Sequence, residues 1–329
     1  MTDDKRLRCC HEMHIQAQPV DDPNVPPLLY GQFRGWWAHG FEGSPVQAWL
    51  ATDDSGDPVG AYLLELPHRE NLANAFGHLM VAPHLRRRGA GRALLAHMAG
   101  AAALADRKLL MGFTRIGSPG TPFAKATGGQ AGLLDTRRIL DVDASLRERL
   151  PALRASAESR AAGYSLRYWP GVSPEDLIDG ICATYTAMGD APHDDNFEPA
   201  SWDAGRMRAA EERVIAQGTR MHSIAAIEDG SGEVAALTQV NVDPGRPQWG
   251  WQEITAVISL HRGHRLGLLV KVAMLDLLAG HEPELRHMAT YNADQNKHMV
   301  AVNTQLGYHV TDYFQSWEHE IASARALAS

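Results

Sequence analysis

Two short turns carry the residues best suited to chemistry. The first is Arg86-Arg-Arg-Gly-Ala-Gly91, continued by Arg92; the second is Arg262-Gly-His-Arg-Leu-Gly267, continued by Leu268. Each follows an apolar segment that ends in valine, Val81 or Val257, and precedes an apolar run with helical spacing. Glycine lets the main chain approach a ligand, free N–H groups at a helix start attract anions, and arginine adds charge. Such a turn can cradle a phosphate. It is not a Walker loop, because no Gly-Lys-Ser/Thr follows. It is not a dinucleotide fingerprint either, because GxGxxG is absent and meandering strands precede it. Taken singly, either turn also reads as a helix start with a solvated basic corner.

Acid–base candidates are sparser. Strand alternation predicts that Trp251, Glu253, Thr255 and Val257 share one face, which puts a carboxylate there. The matching face of the first half, Gly77, Leu79 and Val81, holds no acid or base. The stretch Gly189–Glu198 holds Asp190, His193, Asp194, Asp195 and Glu198. It reads either as an attractor for a cationic amine or as a solvated acidic loop. Trp36-Trp37 reads as a pocket wall or, more simply, as core. His261 and His264 flank the second turn, but the 16 histidines show no His-x-x-x-His spacing with an acid, so no metal is expected. Ser259 has no recognisable His/Asp constellation, which argues against a serine hydrolase. Cys9, Cys10 and Cys182 are too few for a disulfide framework, and the first two fall in what reads as a loose N-terminus.

The elements that must position these turns repeat. Val81 and Val257 are 176 residues apart, about one domain. Upstream of each valine come strand, acidic Gly turn and strand: Ala48–Thr52, Asp53–Asp57 and Val59–Leu66 in the first copy, Ser223–Ile227, Glu228–Gly232 and Val234–Val242 in the second. Three meandering strands feeding a helix, twice, imply duplicated domains. Between the copies, Asp143–Ala162 reads as a helix interrupted or restarted at Pro151 and ended by Gly163. Tyr164–Trp169 reads as a strand, and Ser173-Pro-Glu-Asp as a helix start with Ser as cap. The boundary falls near residue 160. The length, 329 residues, suits two domains. The net charge of −8 argues against nucleic acid and favours neutral or cationic small molecules. No secretory segment or ~20-residue apolar span is present, so the expectation is a cytoplasmic protein that does not enter the membrane.

The segment Val81-x-Pro-x-x-Arg-x-x-Gly-x-Gly91 resembles the acyl-CoA pyrophosphate loop of the GNAT superfamily of N-acetyltransferases. The second turn matches at Arg262 and Gly267, with Arg265 in place of the first glycine, a departure that strains or shifts the loop. The stretch Thr290–Tyr308 is similar to the superfamily's strand, helix and Gly-Tyr return, and the resemblance spans most of residues 11–319. It implies an α/β fold of two tandem GNAT domains, 11–160 and 161–329, each a mixed sheet with a central bulge and splay. It implies acetyl-CoA held by Val81, Arg86, Arg87, Arg88, Gly89, Ala90, Gly91 and Arg92 in the first half. In the second half the implied residues are Val257, Ser259, Arg262, Gly263, His264, Arg265, Leu266, Gly267 and Leu268, with Asn292 and Asn296 near the pantetheine and diphosphate. The implied reaction is direct acetyl transfer to a primary amine of a small molecule by the second half. Glu253 serves as base there, and the strand ending at Val257 stabilises the thioester oxygen. Asp190 and Asp194 are the expected amine contacts. The superfamily's usual tyrosine acid falls on Asn303 and Ala124, and neighbouring Tyr291 and Tyr308 do not align with it. A peptide or protein acetyltransferase, and a non-catalytic CoA-binding sensor or scaffold, stand as alternatives. A monomer or homodimer is expected.

Overall fold

The computed structural model describes residues 4–40 and 46–328. The chain forms two compact units, neither contiguous in sequence. One comprises Met1–Asp135, Asp194–Glu198 and Asp312–Ser329; the other comprises Thr136–His193 and Pro199–Thr311.

In the first unit, α1 (Asp4–Asp21) and α2 (Tyr30–His39) precede the meander β1 (Val46–Thr52), β2 (Pro58–Glu65) and β3 (Asn74–Val81). Then come α3 (Ala90–Leu104), β4 (Leu109–Arg115), α4 (Gly120–Ala126) and the start of β5 (Gln130–Asp141). The second unit takes the end of β5, then α5 (Ala144–Glu158), β6 (Tyr164–Pro170), α6 (Ile178–Thr186) and α7 (Ala204–Ala216). Its meander is β7 (Arg220–Glu228), β8 (Val234–Val242) and β9 (Trp249–Val257). After it come α8 (Leu266–His281), β10 (His287–Ala293), α9 (Lys297–Leu306) and the start of β11 (His309–Glu320). The rest of β11 and α10 (Ile321–Arg325) complete the first unit.

The first unit's strands lie in the order β1-β2-β3-β4-β11, and the second unit's in the order β6-β7-β8-β9-β10-β5. Each unit therefore takes its last strand from the other half of the sequence. Phe314–Glu320 runs antiparallel to Leu109–Arg115, and the end of β5 lies beside β10. The acidic turns close both hairpins as expected. Asp53, for example, accepts from the N–H groups of Ser55 and Asp57 at 2.9 Å.

Both meanders end in a splay. Parallel pairing of β3 with β4 covers only Asn74–Phe76 against Leu109–Met111, and that of β9 with β10 only Trp249–Trp251 against His287–Ala289. Beyond these pairs the strands part. The two units differ in one respect. The β2–β3 register runs unbroken from Gly60↔Val81 to Glu65↔Phe76. In β8–β9, Gln239 pairs with Ile254 but Val240 pairs with Gln252, which leaves Glu253 as the extra residue of a β-bulge.

Apolar packing explains the layers. The helix α8 is buried along most of its length, which fits its nearly continuous apolar sequence, against Ala235, Ala236, Val240 and Val242. The opposite face of the same sheet packs Leu237, Ile254 and Ala256 on α6 and α7. In the first unit α3 lies between the sheet and Ile321 and Ala324, while α1 and α2 cover Ala61, Leu63 and Met80. Trp37 is core, stacked on Phe33.

Three expectations need correction. Pro151 sits inside α5 without interrupting it: it forgoes one main-chain hydrogen bond, and the helix is held on either side by the packing of Leu146, Leu150 and Ala157. Cys9 and Cys10 lie in α1, not a loose end, and burial pushes the Cys10 thiol up to about 12. Ser173 is no side-chain cap: its N–H donates to Glu211, and a short 3-10 turn begins at Glu175. Among the described residues, no helix is long and apolar enough to cross a membrane.

Candidate active site

The two Arg/Gly turns fold the same way. Two loop positions in each take the left-handed conformation: Arg87 and Gly89 in the first (φ 66° and 93°), Gly263 and Arg265 in the second (φ 91° and 56°). The glycine and the arginine have exchanged places without moving the bend. Arg265 therefore strains its loop but does not shift it, at a cost of about 1 kcal/mol for a side chain in that region. Neither helix start has a side-chain cap; the N–H groups of Arg92 and Leu268 turn back to the Gly89 and Arg265 carbonyls, which leaves those of Ala90, Gly91, Leu266 and Gly267 at the positive end of a helix. An added Cβ at Gly89 or Gly263 would meet nothing within 4 Å, so the cradles are open.

The first arginine of each turn is a strut. Arg86 donates Nε to the Val81 carbonyl at 3.0 Å and grips Asp21 with both terminal nitrogens, at 2.8 and 2.6 Å. Arg262 donates Nε to the Val257 carbonyl at 3.4 Å and Nη2 to Asp190 at 2.7 Å. The same three-part tie of loop, strand end and helical segment thus occurs in both units. The remaining loop side chains diverge. Arg87, Arg88 and Arg92 are exposed and form no ion pair among the described residues, whereas Arg265 reaches Ser156 and His264 Nδ1 sits 3.3 Å from the Arg160 carbonyl. Beside the first cradle a groove of about 490 Å³ runs along α3, lined by Gly89, Arg92, Ala93, Ala96, His97 and Leu327. Ser259 opens the short 3-10 turn that leads from Val257 into the second cradle.

The bulge turns Glu253 away from its expected neighbours. Thr255 and Val257 pair with Thr238 and Ala236 on the face that packs on α8. Trp251 pairs with Asn241, and Glu253 hydrogen-bonds the Asn241 side chain, on the α6–α7 face. The shared face expected for residues 251, 253, 255 and 257 is therefore split, because the extra residue reverses the alternation. Burial pushes the Glu253 carboxyl above the usual carboxylate range, while Asn241 and the charge of Arg213 oppose the shift. The residue stays exposed to solvent although protein crowds round its carboxyl. Beside it Tyr185, whose hydroxyl is pushed up by burial and by Glu253, donates to Gln239, and Gln239 donates to Asn241. The N–H of Ile258 donates to Ala235 on the β8 side. Alternation along the strand then aims the Val257 N–H at the gap that β10 leaves.

The bulge-free strand of the first unit holds no carboxylate at this point. On its corresponding face lies His78, packed 4.7 Å from the Trp36 ring, whose Nε1 donates to Glu65 at 3.3 Å. Burial pushes His78 and neighbouring His14 down to about 4. The acid–base survey of Gly77, Leu79 and Val81 missed His78 because it lies on the opposite face. Tyr185, Gln239 and Asn241 were also missed. Nothing in their local sequence links α6 to β8 and β9.

Asn292, Asn303 and Lys271 form a buried polar chain. Lys271 Nζ donates to Asn303 Oδ1 at 2.7 Å, and Asn303 Nδ2 donates to Asn292 Oδ1 at 2.6 Å. Burial lowers the Lys271 amine to about 7. Asn303 therefore serves as a link at the place where a tyrosine acid was sought. The Tyr308 hydroxyl is buried with no hydrogen-bond partner among the described residues. Asn296 caps α9 through the N–H of Met299 at 3.2 Å. The two acidic residues expected at the amine site separate. Asp190 lies in the second unit on Arg262, and Asp194 lies in the first, accepting from the Leu133 N–H and from Ser316.

No protein-family model matches this sequence, and no curated protein does. Solved structures match along nearly its whole length. A tandem GNAT protein from the clavulanic acid biosynthesis pathway is 28% identical, with 97% of this chain and 96% of that one covered and a TM-score of 0.82. A GCN5-related N-acetyltransferase from Sphaerobacter thermophilus is 14% identical over 97% and 94%, with a TM-score of 0.66. The glucosamine N-acetyltransferase region of a fungal multi-domain β-N-acetylglucosaminidase is 14% identical, covering 97% of this chain and 37% of that one at a TM-score of 0.62. Fold and duplicated cradles agree: the chain has the tandem GNAT fold.

Proposed function

We propose that the second unit transfers an acetyl group from acetyl-CoA directly to a primary amine of a small molecule. The observation that supports this reading is the bulge in β9, which turns Glu253 to the α6–α7 face beside the splayed strands. The two halves, 11–160 and 161–329, are then copies of one domain of which the second kept the acid–base group.

The residues fit the cofactor's chemistry. Outward N–H groups, left-handed loop positions and an open glycine make an anion-binding concavity in each unit, suited to a diphosphate. Bound there, acetyl-CoA supplies an activated thioester carbonyl. Residues 257–268 hold the diphosphate through main-chain N–H groups, with Arg262 keeping the loop's shape. Asn292, steadied by Asn303, lines the edge of the gap. The Val257 N–H offers a donor to the carbonyl oxygen as that oxygen gains charge. Glu253 accepts the proton that the attacking amine must lose, and a raised pKa makes it a stronger base for the purpose. A thiol leaves with a pKa near 8.5, so departure does not require a tyrosine acid. Tyr185, Gln239 and Asn241 orient the amine, and the half-exposed Asp190 adds a negative field that draws a cationic substrate.

The test is thiol release from acetyl-CoA with a panel of small amines and with peptides. Acetylation of small amines supports the reading. Acetylation of peptides alone transfers the activity to the alternative, and binding without turnover supports a sensor.

A further inference from the structure

We propose that Glu228, Glu233 and His261 form a binding site for a divalent transition-metal cation of the zinc class, at the foot of the second cradle. One ligand atom from each lies within 4.8 Å of the other two. Ligands around a single zinc stand about 3.3 Å apart, from bonds of about 2.0–2.1 Å. A movement of about an ångström in two exposed-end side chains therefore closes the site.

Each group is presented for this role. Glu228 ends β7 and Glu233 immediately precedes β8, and the Glu228 N–H donates to the Glu233 carbonyl at 2.9 Å. The two carboxylates thus face each other across the mouth of a hairpin, where like charges repel unless a cation lies between them. His261, 7% exposed, comes from the short turn just before Arg262. Its Nδ1 is 3.0 Å from the Tyr164 hydroxyl, which fixes the ring. Its Nε2 has no hydrogen-bond partner among the described residues and lies 3.9 Å from Glu233 Oε2, beyond hydrogen-bond reach. A buried imidazole with one nitrogen held and the other presented to two carboxylates is the arrangement a metal-binding histidine takes, with Tyr164 as its outer support. One imidazole and two carboxylates suit zinc-class ions better than calcium or magnesium, which take oxygen ligands alone. The ion would fasten the β7–β8 turn to the loop that carries Arg262. The sequence hid the site because the carboxylates lie in a turn some thirty residues before the histidine, in no ligand-spacing motif.

The site stands or falls apart from acyl transfer, because its readout is binding. Zn²⁺ alone is titrated into the metal-free full chain against a chromophoric chelator. One equivalent should bind, and Glu228→Gln or Glu233→Gln should weaken that equivalent tenfold or more. Both are hairpin-turn changes that leave the core intact, and circular dichroism checks this. Tyr164→Phe should weaken it less, and Zn²⁺ should raise the melting temperature of the wild type but not of Glu233→Gln. Equal Zn²⁺ stoichiometry and affinity in the wild type and both glutamine variants would overturn the site. So would an absence of binding, or a preference for Mg²⁺ or Ca²⁺ over Zn²⁺.

Discussion

Two ionisable side chains crowded by protein, Glu253 and the buried Lys271, govern the chemistry expected of single residues. Glu253 is held above the usual carboxylate range, so activity should climb with pH beyond that range as the carboxyl loses its proton. Glu253→Gln should lower kcat by about 10²–10⁴-fold and remove that limb, while the KM for acetyl-CoA stays unchanged. A pH–rate profile of both proteins checks this. Lys271 makes a prediction about stability. Its folded pKa of about 7 lies below the unfolded 10.5, so between these values the unfolded chain binds more protons. Stability should then rise with pH by about 1.4 kcal/mol per unit across that window. The contribution is fully present above 10.5 and is lost as pH falls through 7. Lys271→Met should flatten this slope in denaturant titrations at pH 7, 8 and 9. Glu253 was legible in the sequence, but its orientation was not. A bulge is a change of main-chain register, and the adjacent polar residues Gln252 and Glu253 interrupt the alternation of Trp249–Val257 without saying which of them loses its partner on β8. Lys271 was visible as a break in an apolar run, yet its partner Asn303 lies 32 residues away.

Among the elements, the cradles were the most legible, because glycine, arginine and the helix start are consecutive in sequence. What the sequence concealed was the work of Arg86 and Arg262. Both spend their guanidinium on Asp21 or Asp190 and on the strand end, leaving main-chain N–H groups to meet an anion. Asp190→Ala should therefore loosen the second loop. Exposed ion pairs contribute about 0.2–1 kcal/mol, so acetyl-CoA should bind up to about fivefold more weakly, with kcat preserved. Steady-state kinetics check both roles of Asp190, because loss of its field should also raise the KM of a cationic amine.

At the scale of the molecule, the duplication was legible and the exchange of last strands was not. The repeat predicts a boundary near residue 160, but pairing of β11 with β4 depends on a partner some two hundred residues distant. A chain ending at Thr311 would strip β4 of its neighbour and α3 of Ile321, Ala324 and Leu327. It should lose the cooperative melting of the first unit, which calorimetric scanning would detect.

The central claim is that the second cradle serves acetyl transfer. Its most direct test is calorimetric titration of acetyl-CoA into the wild type, Gly267→Glu and the matching Gly91→Glu. An added Cβ at Gly267 meets only Val257 at 3.6 Å, so that variant folds while setting a carboxylate against the diphosphate. A binding site should be lost in Gly267→Glu and retained in Gly91→Glu. Loss confined to Gly91→Glu, or no binding to the wild type, would contradict it.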